Sequence, residues 1–375
     1  MAFANSGAEA LAMLGASPFD VIVTDMRMPA MDGAELLEQV QQRFPNVIRI
    51  VLSGYFERDA ALRAVPVAHQ FLAKPCDPEA LREAVERSCS LSALMPDETV
   101  RRVVGAIGEL PCLPRTCAAL VEALRKPDVP LQEIGIIIEQ DVGITAKVLQ
   151  LVNSAFFGLL REVSSVRMAV NHLGVDTLQQ LVLSVEIFRT FQVARPIAGF
   201  TLEDLQFHSQ LAAAIAARMP AARSVVSAAV VASVLHDIGK LVMAVRLPAR
   251  FEQALEVSAR EGRPLYAVER ELTGIGHAEV GAYLLGLWGL PGPIVDAVCR
   301  HHRPTAGQPG EGLDVLAIAH IADALAQEVA RPAPGDASAG CGLLDWEYVK
   351  SIGVAEQVAG WRSMACEIAA ERVGA

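Results

Sequence analysis

The chain has 375 residues, which is long for a single hydrophobic core and predicts two domains. Hydrophobic residues make up 52% of the chain and charged residues 20%, which excludes global disorder; a net charge of −11 without a Lys/Arg cluster argues against nucleic-acid binding. The longest uncharged stretch, residues 280–295, is broken by four Gly and two Pro, and the N-terminus lacks a signal-peptide pattern, so we expect a cytoplasmic protein without membrane contact.

Short apolar runs alternate with helical patterns in the N-terminal part of the chain. The runs cover residues 20–25, 47–53 and 70–74. Continuous apolar strands that alternate with amphipathic helices are typical of a parallel sheet covered on both faces. In such sheets the chemistry collects where the strands end, at their carboxyl edge. The polar residues at these ends are Asp25, Ser53 and Lys74.

These residues and the stretches TDMRMP (24–29) and AKP (73–75) resemble a response-regulator receiver domain, which has a doubly wound, flavodoxin-like α/β fold. The resemblance implies that Asp25 accepts a phosphoryl group and that Ser53 binds one of its oxygens. It also implies that Lys74 is the invariant cation of the site and Phe71 the aromatic switch residue. The expected phosphodonor is a sensor histidine kinase.

The N-terminus departs from the receiver pattern. Receivers begin with a strand that ends in an acidic pair holding Mg²⁺, whereas here Asp25 follows Met1 by only 24 residues and Glu9 is the sole acid before Asp20. We therefore expect residues 1–89 to form an incomplete receiver without its first strand and most of its first helix. Because phosphoryl transfer to a carboxylate needs a cation, Mg²⁺ is expected as a cofactor only if translation starts upstream; otherwise the domain is a relic and a poor phosphoacceptor.

Beyond a predicted linker at residues 90–104, the sequence shows only the 3.6-residue period of helices. This predicts a larger all-α domain at 105–330, a flexible loop at 331–342 and a C-terminal helical extension at 343–375. Expected helix starts are Asp77 with Pro78, Asp128 and Asp141. The seven cysteines are odd in number and scattered, which predicts reduced thiols rather than a zinc site.

The motif VLHDIGK at residues 234–240 is the centre of the predicted helical domain. Its adjacent His236 and Asp237 can direct one nitrogen and one carboxylate at a common cation. Six of the eight histidines lie between residues 208 and 320, and Asp323 follows His320 by three residues, on the same face of a helix. The pattern predicts a fold built to hold a metal.

Several separated motifs carry a second resemblance. They are the LPCLP run (110–114), the NSAFFG run (153–158), the LHDIGK run (235–240), HAEVGAYLL with WGLP after it (277–291), and RHHRP (300–304). In this order they resemble the HDOD family, the HD-related output domains of bacterial signalling proteins. The resemblance implies an all-helical, HD-like fold, and a receiver followed by an HDOD domain is a known order of modules.

Two functions remain open. For a metal-dependent HD-type phosphohydrolase acting on a (cyclic di)nucleotide, the resemblance implies a first ion on His208, His236, Asp237 and Asp323. His277 with His301 or His302 would hold a second ion, as in HD-GYP phosphodiesterases, and Lys240 would contact the substrate phosphate. However, the GYP signature is missing after His302, and HDOD domains have no generally accepted activity. The sequence therefore favours a non-catalytic output module that binds a protein or nucleotide. The oligomeric state stays open, with a homodimer among the alternatives.

Overall fold

The computed structural model describes residues 1–54, 64, 66–91, 95, 97–107, 110, 114–126, 129–153, 163–184, 197–306, 312–330 and 343–373. Within these ranges a small parallel sheet with flanking helices precedes a larger region in which every regular element is helical, apart from one isolated bridge between Ile197 and Phe200. The predicted fold class, an incomplete doubly wound domain followed by an all-α domain, is confirmed.

The N-terminal domain is built around three parallel strands. Its elements are α1 (Gly7–Ala16), β1 (Val21–Asp25), α2 (Gly33–Arg43), β2 (Ile48–Ser53), β3 (Gln70–Ala73) and α3 (Pro78–Leu91). The order is β1-β2-β3, with Val23 beside Ile50 and Ile50 beside Gln70. In the described part of the chain β1 therefore has a neighbour on one side only, and Val23 on this strand is 37% exposed.

Helix α1 differs from expectation. The sequence argument expects most of the first receiver helix to be absent, yet ten residues form it, with the Ser6 hydroxyl accepting a hydrogen bond from the Glu9 backbone. The apolar side chains Leu11 and Leu14 pack against the cluster that includes Leu36 of α2. The helix is stabilised by the packing of these apolar side chains against α2. A short helix gains more stability from such packing than from the helix propensity of its residues. No described residue forms a strand before α1.

The helical region follows from residue 98 onward. Its helices are α4 (Glu98–Gly105), α5 (Pro114–Arg125), α6 (Leu131–Glu139), α7 (Val142–Asn153), α8 (Val166–Ser184), α9 (Leu202–Ala217), α10 (Arg223–Leu235), α11 (Ile238–Arg246), α12 (Pro248–Glu261), α13 (Leu265–Thr273), α14 (His277–Leu287), α15 (Gly292–Arg300), α16 (Val315–Ala330), α17 (Trp346–Ser351) and α18 (Val358–Val373). Helix α8 is kinked at Gly174, whose φ of 72° and ψ of 166° are not helical. The side chains of α17 and α18 pack in one apolar cluster with those of α9 and α16.

Helix starts follow the local sequence closely. The Asp77 carboxylate accepts a hydrogen bond from the Glu79 backbone at the start of α3, and Asp141 accepts one from Ile144 at the start of α7. Both predicted starts are confirmed, since an acceptor at this position satisfies a free N–H of the first turn. The expected start at Asp128 and the expected loop at 331–342 lie outside the described residues.

The core of the helical domain is formed by α9, α10, α14, α15 and α16. Helix α10 packs on α9, α15 and α16, while α11 packs on α14 and α14 on α15. The run Arg223–Arg246 is long and apolar enough to cross a membrane, but 83% of its most apolar window is buried inside the protein. It is therefore the interior helix pair of this domain.

The two domains share one continuous hydrophobic core. Helix α4 presents the fully buried Val100 and Val104 to it, and the far end of α14 contacts both α3 and α4.

The cysteines differ from expectation. Cys117 is in a disulfide whose partner lies outside the described residues, so the expectation of reduced thiols throughout is wrong. The spacing of cysteines along the sequence does not show which pairs lie close enough in the fold to form a disulfide bond.

Candidate functional site

The HD motif forms the turn between α10 and α11. Helix α10 ends at Leu235, His236 and Asp237 occupy the turn, and α11 follows at once. A Cβ atom at Gly239 would stand 1.8 Å from the His277 carbonyl oxygen. The glycine thus permits the close approach of α11 to the start of α14, and this approach brings Asp237 beside His277.

The first group of candidate ligands consists of His208 from α9, His236 from the turn and Asp323 from α16. His208 Nε2 lies 2.9 Å from Asp323 Oδ1 and 3.1 Å from His236 Nε2. His236 Nε2 lies 3.5 Å from the same Asp323 oxygen. Three elements distant in sequence therefore direct their polar atoms at one point.

The second group consists of Asp237, His277, His301 and His302, whose candidate ligand atoms lie within 4.8 Å of one another. His277 Nε2 is 3.0 Å from His302 Nε2 and 3.2 Å from Asp237 Oδ1. His301 Nε2 is 3.8 Å from Asp237 Oδ1. The start of α14 and the end of α15 supply the three imidazoles.

Asp237 lies between the two groups. Its Oδ1 faces the second group, while its Oδ2 lies 3.3 Å from His236 Nε2 and 3.9 Å from His208 Nε2 in the first. The structure therefore brings together all seven side chains that the sequence argument nominated as metal ligands, with one carboxylate shared between two neighbouring sets.

Three of the imidazoles are held in one orientation by acceptors on their outer nitrogens. Nδ1 of His236 donates to the Ser233 carbonyl at 2.7 Å, and Nδ1 of His301 donates to the Val298 carbonyl at 2.7 Å. Nδ1 of His277 lies 2.6 Å from a carboxylate oxygen of Glu269. These acceptors assign a proton to Nδ1, so Nε2 faces the site and would present its lone pair to a bound metal ion, as in metal-binding histidines.

Two buried atoms of the site lack a well-aligned hydrogen-bond partner in the part of the chain that the structure describes. They are Asp237 Oδ1 and His301 Nε2. Such atoms are rare in folded proteins, and a divalent cation would satisfy both. The nitrogen–nitrogen distances of 3.0 and 3.1 Å are also close to the spacing of about 3.3 Å between two nitrogens bound to one tetrahedral Zn²⁺. The residues present fit a pair of divalent ions.

The charges at the site depend strongly on each other. Burial by itself would lower the pKa of His236, but Asp237 and Asp323 raise it to about 10. Burial together with the charge of His236 lowers the pKa of His301 to about 3. Burial alone would raise the pKa of Asp237, yet His236 and Lys240 hold it well below its usual value. The buried carboxylates thus favour positive charge at the site, and a metal ion can take this role from the His236 proton.

Solvent reaches this site from one side. The side chains of His208 and Lys240 are 16% and 17% exposed, while those of the other six candidate ligands are at most 9% exposed. Lys240 Nζ donates to Asp237 Oδ2 at 2.5 Å. An ammonium group therefore lies at the solvent-facing rim, next to the shared carboxylate.

Supporting residues behind the ligands escaped the sequence argument. Gln327 Nε2 donates to Asp323 Oδ1 at 2.9 Å, and Glu269 holds His277. His320, singled out with the other histidines, lies outside both groups. Its Nδ1 donates to the His301 carbonyl at 2.6 Å, and its Nε2 accepts from the Asp345 backbone at 2.9 Å. It braces the ligand-bearing turn, a role that no motif could signal.

The receiver residues meet at the carboxyl edge of the sheet. Lys74 Nζ forms an ion pair with Asp25, whose other oxygen accepts from the Arg27 backbone at 3.1 Å. The Lys74 backbone donates to the Ser53 carbonyl at 2.9 Å, and Phe71 is buried in the core. Among the described residues, Asp25 belongs to no cluster of potential metal ligands.

Two family models match this chain. The HDOD domain model matches residues 110–304, more than half of the chain, and the response regulator receiver domain model matches residues 1–86. The chain belongs to the HDOD family. A receiver domain joined to an HDOD domain makes it a signal-transduction regulator of the response-regulator type.

The curated relatives are longer proteins. An uncharacterized protein of Treponema pallidum (strain Nichols) is 28% identical over 201 residues, which cover 54% of this chain and 39% of the relative. The DNA-binding transcriptional regulator NtrC of Escherichia coli (strain K12) is 40% identical over 87 residues, 23% of this chain and 19% of that protein. The chain spans well under half the length of these relatives.

Solved structures support the fold. The MmoQ response regulator of Methylococcus capsulatus str. Bath aligns with a TM-score of 0.51 at 22% identity, over 69% of this chain and 98% of the other. A virulence factor of Campylobacter jejuni subsp. jejuni aligns with a TM-score of 0.56 at 20% identity, over 73% of this chain and 97% of the other. At these identities the likeness extends to the fold alone.

Proposed function

We propose that this response regulator holds two divalent metal ions in its HDOD domain and hydrolyses a phosphoester there. One observation carries the proposal: seven candidate ligands converge, with Asp237 shared between two sets, and two of their buried atoms lack a well-aligned hydrogen-bond partner among the described residues. The sequence alone favours an output module without catalysis. The convergence of the candidate ligands instead supports a phosphohydrolase.

In this proposal the residues have distinct roles. His208, His236 and Asp323 hold the first ion, the other three histidines hold the second, and Asp237 serves both. Bound ions would activate a water molecule and brace the phosphate. Lys240, at the solvent-facing rim, binds a substrate phosphate oxygen, and the partial exposure of His208 leaves one side open for the substrate. A nucleotide phosphodiester is the proposed substrate class.

A second function is favoured by the burial of the ligands. His236, Asp237, His277 and His301 are almost inaccessible to solvent, as are the histidines of many structural metal sites. The ions would then only stabilise the helical core, and the domain would act by binding a protein or nucleotide. This candidate predicts bound metal without turnover.

The decisive experiment measures metal content and hydrolysis in the same untagged preparation. We expect two divalent ions per chain and steady hydrolysis of a cyclic dinucleotide or an aryl phosphodiester, lost in both His236→Ala and Asp237→Ala. His172→Ala, an exposed histidine outside the cluster, is the matched control and should keep both properties. Two ions without turnover would support the second candidate, whereas a metal-free wild type would refute both.

Helix α14 supports control of this centre by the receiver. It begins at the ligand His277, and at its far end a Cβ atom on Gly286 would stand 2.5 Å from the Leu91 side chain of α3. A shift of α3 on phosphorylation would therefore act on the helix that carries a metal ligand. The proposed linker, residues 90–104, contributes α4 to the same contact.

The remaining assignments complete the proposal. A histidine kinase phosphorylates Asp25, and the protein acts in the cytoplasm, without nucleic acid or membrane, as a monomer or homodimer. The role of Asp25 is tested by labelling with acetyl phosphate and Mg²⁺. The labelling should be weak and should vanish in Asp25→Asn but persist in Asp20→Asn. Equal labelling of the wild type and Asp25→Asn would show that another residue is the acceptor.

A further inference from the structure

We infer that Glu269 is the positioning residue for His277 and that its charge determines whether the second group holds an ion. The inference rests on the proposed metal centre and assigns a function to a residue outside it. Glu269 lies on α13, eight residues before His277, and its side chain is fully buried.

The same oxygen of Glu269 makes two contacts with His277. Oε2 accepts from the His277 backbone N–H at 2.9 Å and from Nδ1 of the imidazole at 2.6 Å. The pair fixes both the start of α14 and the rotation of the ring about its bonds to the backbone. It therefore directs Nε2 at Asp237 Oδ1, 3.2 Å away. A carboxylate on the outer nitrogen also makes the inner nitrogen a stronger donor to a cation.

Helix capping alone does not account for Glu269. The start of α14 already has a carboxylate for this purpose, because Glu279 accepts from the Gly276 backbone at 3.0 Å and pairs with Arg270. Glu269 Oε1 is buried and has no hydrogen-bond partner in the described part of the chain. A buried carboxylate with one such unpaired oxygen is costly unless a positive charge lies nearby. An ion on His277 supplies that charge.

The inference predicts a selective loss. Glu269→Gln keeps an oxygen that can accept from Nδ1 but removes the negative charge. Loss of such a supporting partner typically weakens metal binding by about 10–100-fold. Because Glu269 contacts only the second group, the first group should keep its ion. The variant should then hold one tightly bound ion where the wild type holds two.

Glu279→Gln is the matched control. It removes the same charge from the start of the same helix, but Glu279 does not contact the His277 imidazole. A structural effect on α14 would lower the thermal stability of both variants in the absence of metal. Only Glu269→Gln should change the stoichiometry of Zn²⁺ or Mn²⁺, measured by competition with a chromophoric chelator and by elemental analysis after desalting.

A measurement on the wild type serves if Glu269→Gln does not fold. In ¹⁵N NMR of the Zn²⁺-loaded full chain, His277 should carry its proton on Nδ1, with slow exchange, and bind the metal through Nε2. The opposite tautomer would overturn the inference, as would two ions bound with unchanged affinity in Glu269→Gln. A wild type that binds no ion would instead refute the proposed function itself, so the two failures are distinguishable.

Discussion

Arg49 of β2 donates a hydrogen bond of 2.6 Å to the carbonyl oxygen of Gly105, the last residue of α4. The guanidinium group is fully buried and also donates to the Val47 and Val67 carbonyls. A strand of the receiver thus binds the C-terminal end of α4, the first helix after the receiver domain. The carbonyls at a helix C-terminus carry partial negative charge, which suits a cation at this position.

This bond predicts a large effect of a conservative change. Arg49→Met should lower the free energy of unfolding by at least about 2 kcal/mol, because it leaves buried carbonyl groups without donors. Arg43→Met, on the exposed end of α2, should change it by no more than about 0.5 kcal/mol. Urea denaturation of both variants measures the difference. Equal, small losses would mean that Arg49 does not join the domains.

His69 predicts a dependence of stability on pH. Burial first, and then the charge of Arg49, lower the pKa of His69 well below its usual value. The folded protein therefore keeps His69 neutral, while the unfolded chain takes up a proton near pH 6.5. The unfolded state binds more protons below that pH, so the contribution of His69 is complete above about pH 6.5 and is lost as the pH falls.

The variant His69→Gln isolates this contribution. It cannot titrate, so its melting temperature should fall less than that of the wild type between pH 7.5 and pH 5.5, with a chelator in both samples. The pKa values of three further buried histidines, His301, His302 and His320, are lowered too, but these residues are present in both proteins and cancel in the comparison. Parallel curves would contradict the prediction.

Gly239 predicts a steric effect at the candidate metal site. In Gly239→Ala the new methyl group would meet the His277 carbonyl, and backbone atoms of α14 cannot move aside cheaply. We expect a loss of about 3 kcal/mol or more, with loss of bound metal. Gly360→Ala is the control, because a Cβ atom there meets nothing within 4 Å in helix α18. It should be neutral or slightly stabilising. Similar melting temperatures for the two variants would refute the close approach.

Removal of metal should lower stability. An ion that binds only the folded state adds about 2.7 kcal/mol at a hundredfold excess over its dissociation constant. A chelator should therefore lower the melting temperature of the wild type, and His236→Ala should abolish much of this response. A histidine that is merely hydrogen-bonded in the core would cost about 1–3 kcal/mol on substitution without any effect of the chelator. Thermal scans with and without the chelator separate the two cases.

The local features of this chain follow from its sequence. The helix starts at Asp77 and Asp141 were predictable because a cap acts within three residues of its own position. The strands that end in Asp25 and Ser53 were predictable because a short apolar run ending in a polar residue is typical of a strand in a parallel sheet, although only β2 is buried along nearly its whole length. The seven candidate ligands, which the HD motif and the family resemblance pointed to, lie together in the structure, and their role as metal ligands stays a prediction.

Tertiary packing decided how those residues meet. His208 and Asp323 are 115 positions apart, and only the packing of α9 on α16 places their side chains 2.9 Å from each other. Likewise, no local pattern distinguishes Glu269, which contacts the candidate ligand His277, from the exposed Glu271 near it. The physical reason is that periodicity reports the conformation of a segment and the side it buries. Which buried groups then face one another depends on the crossing of helices from distant parts of the chain.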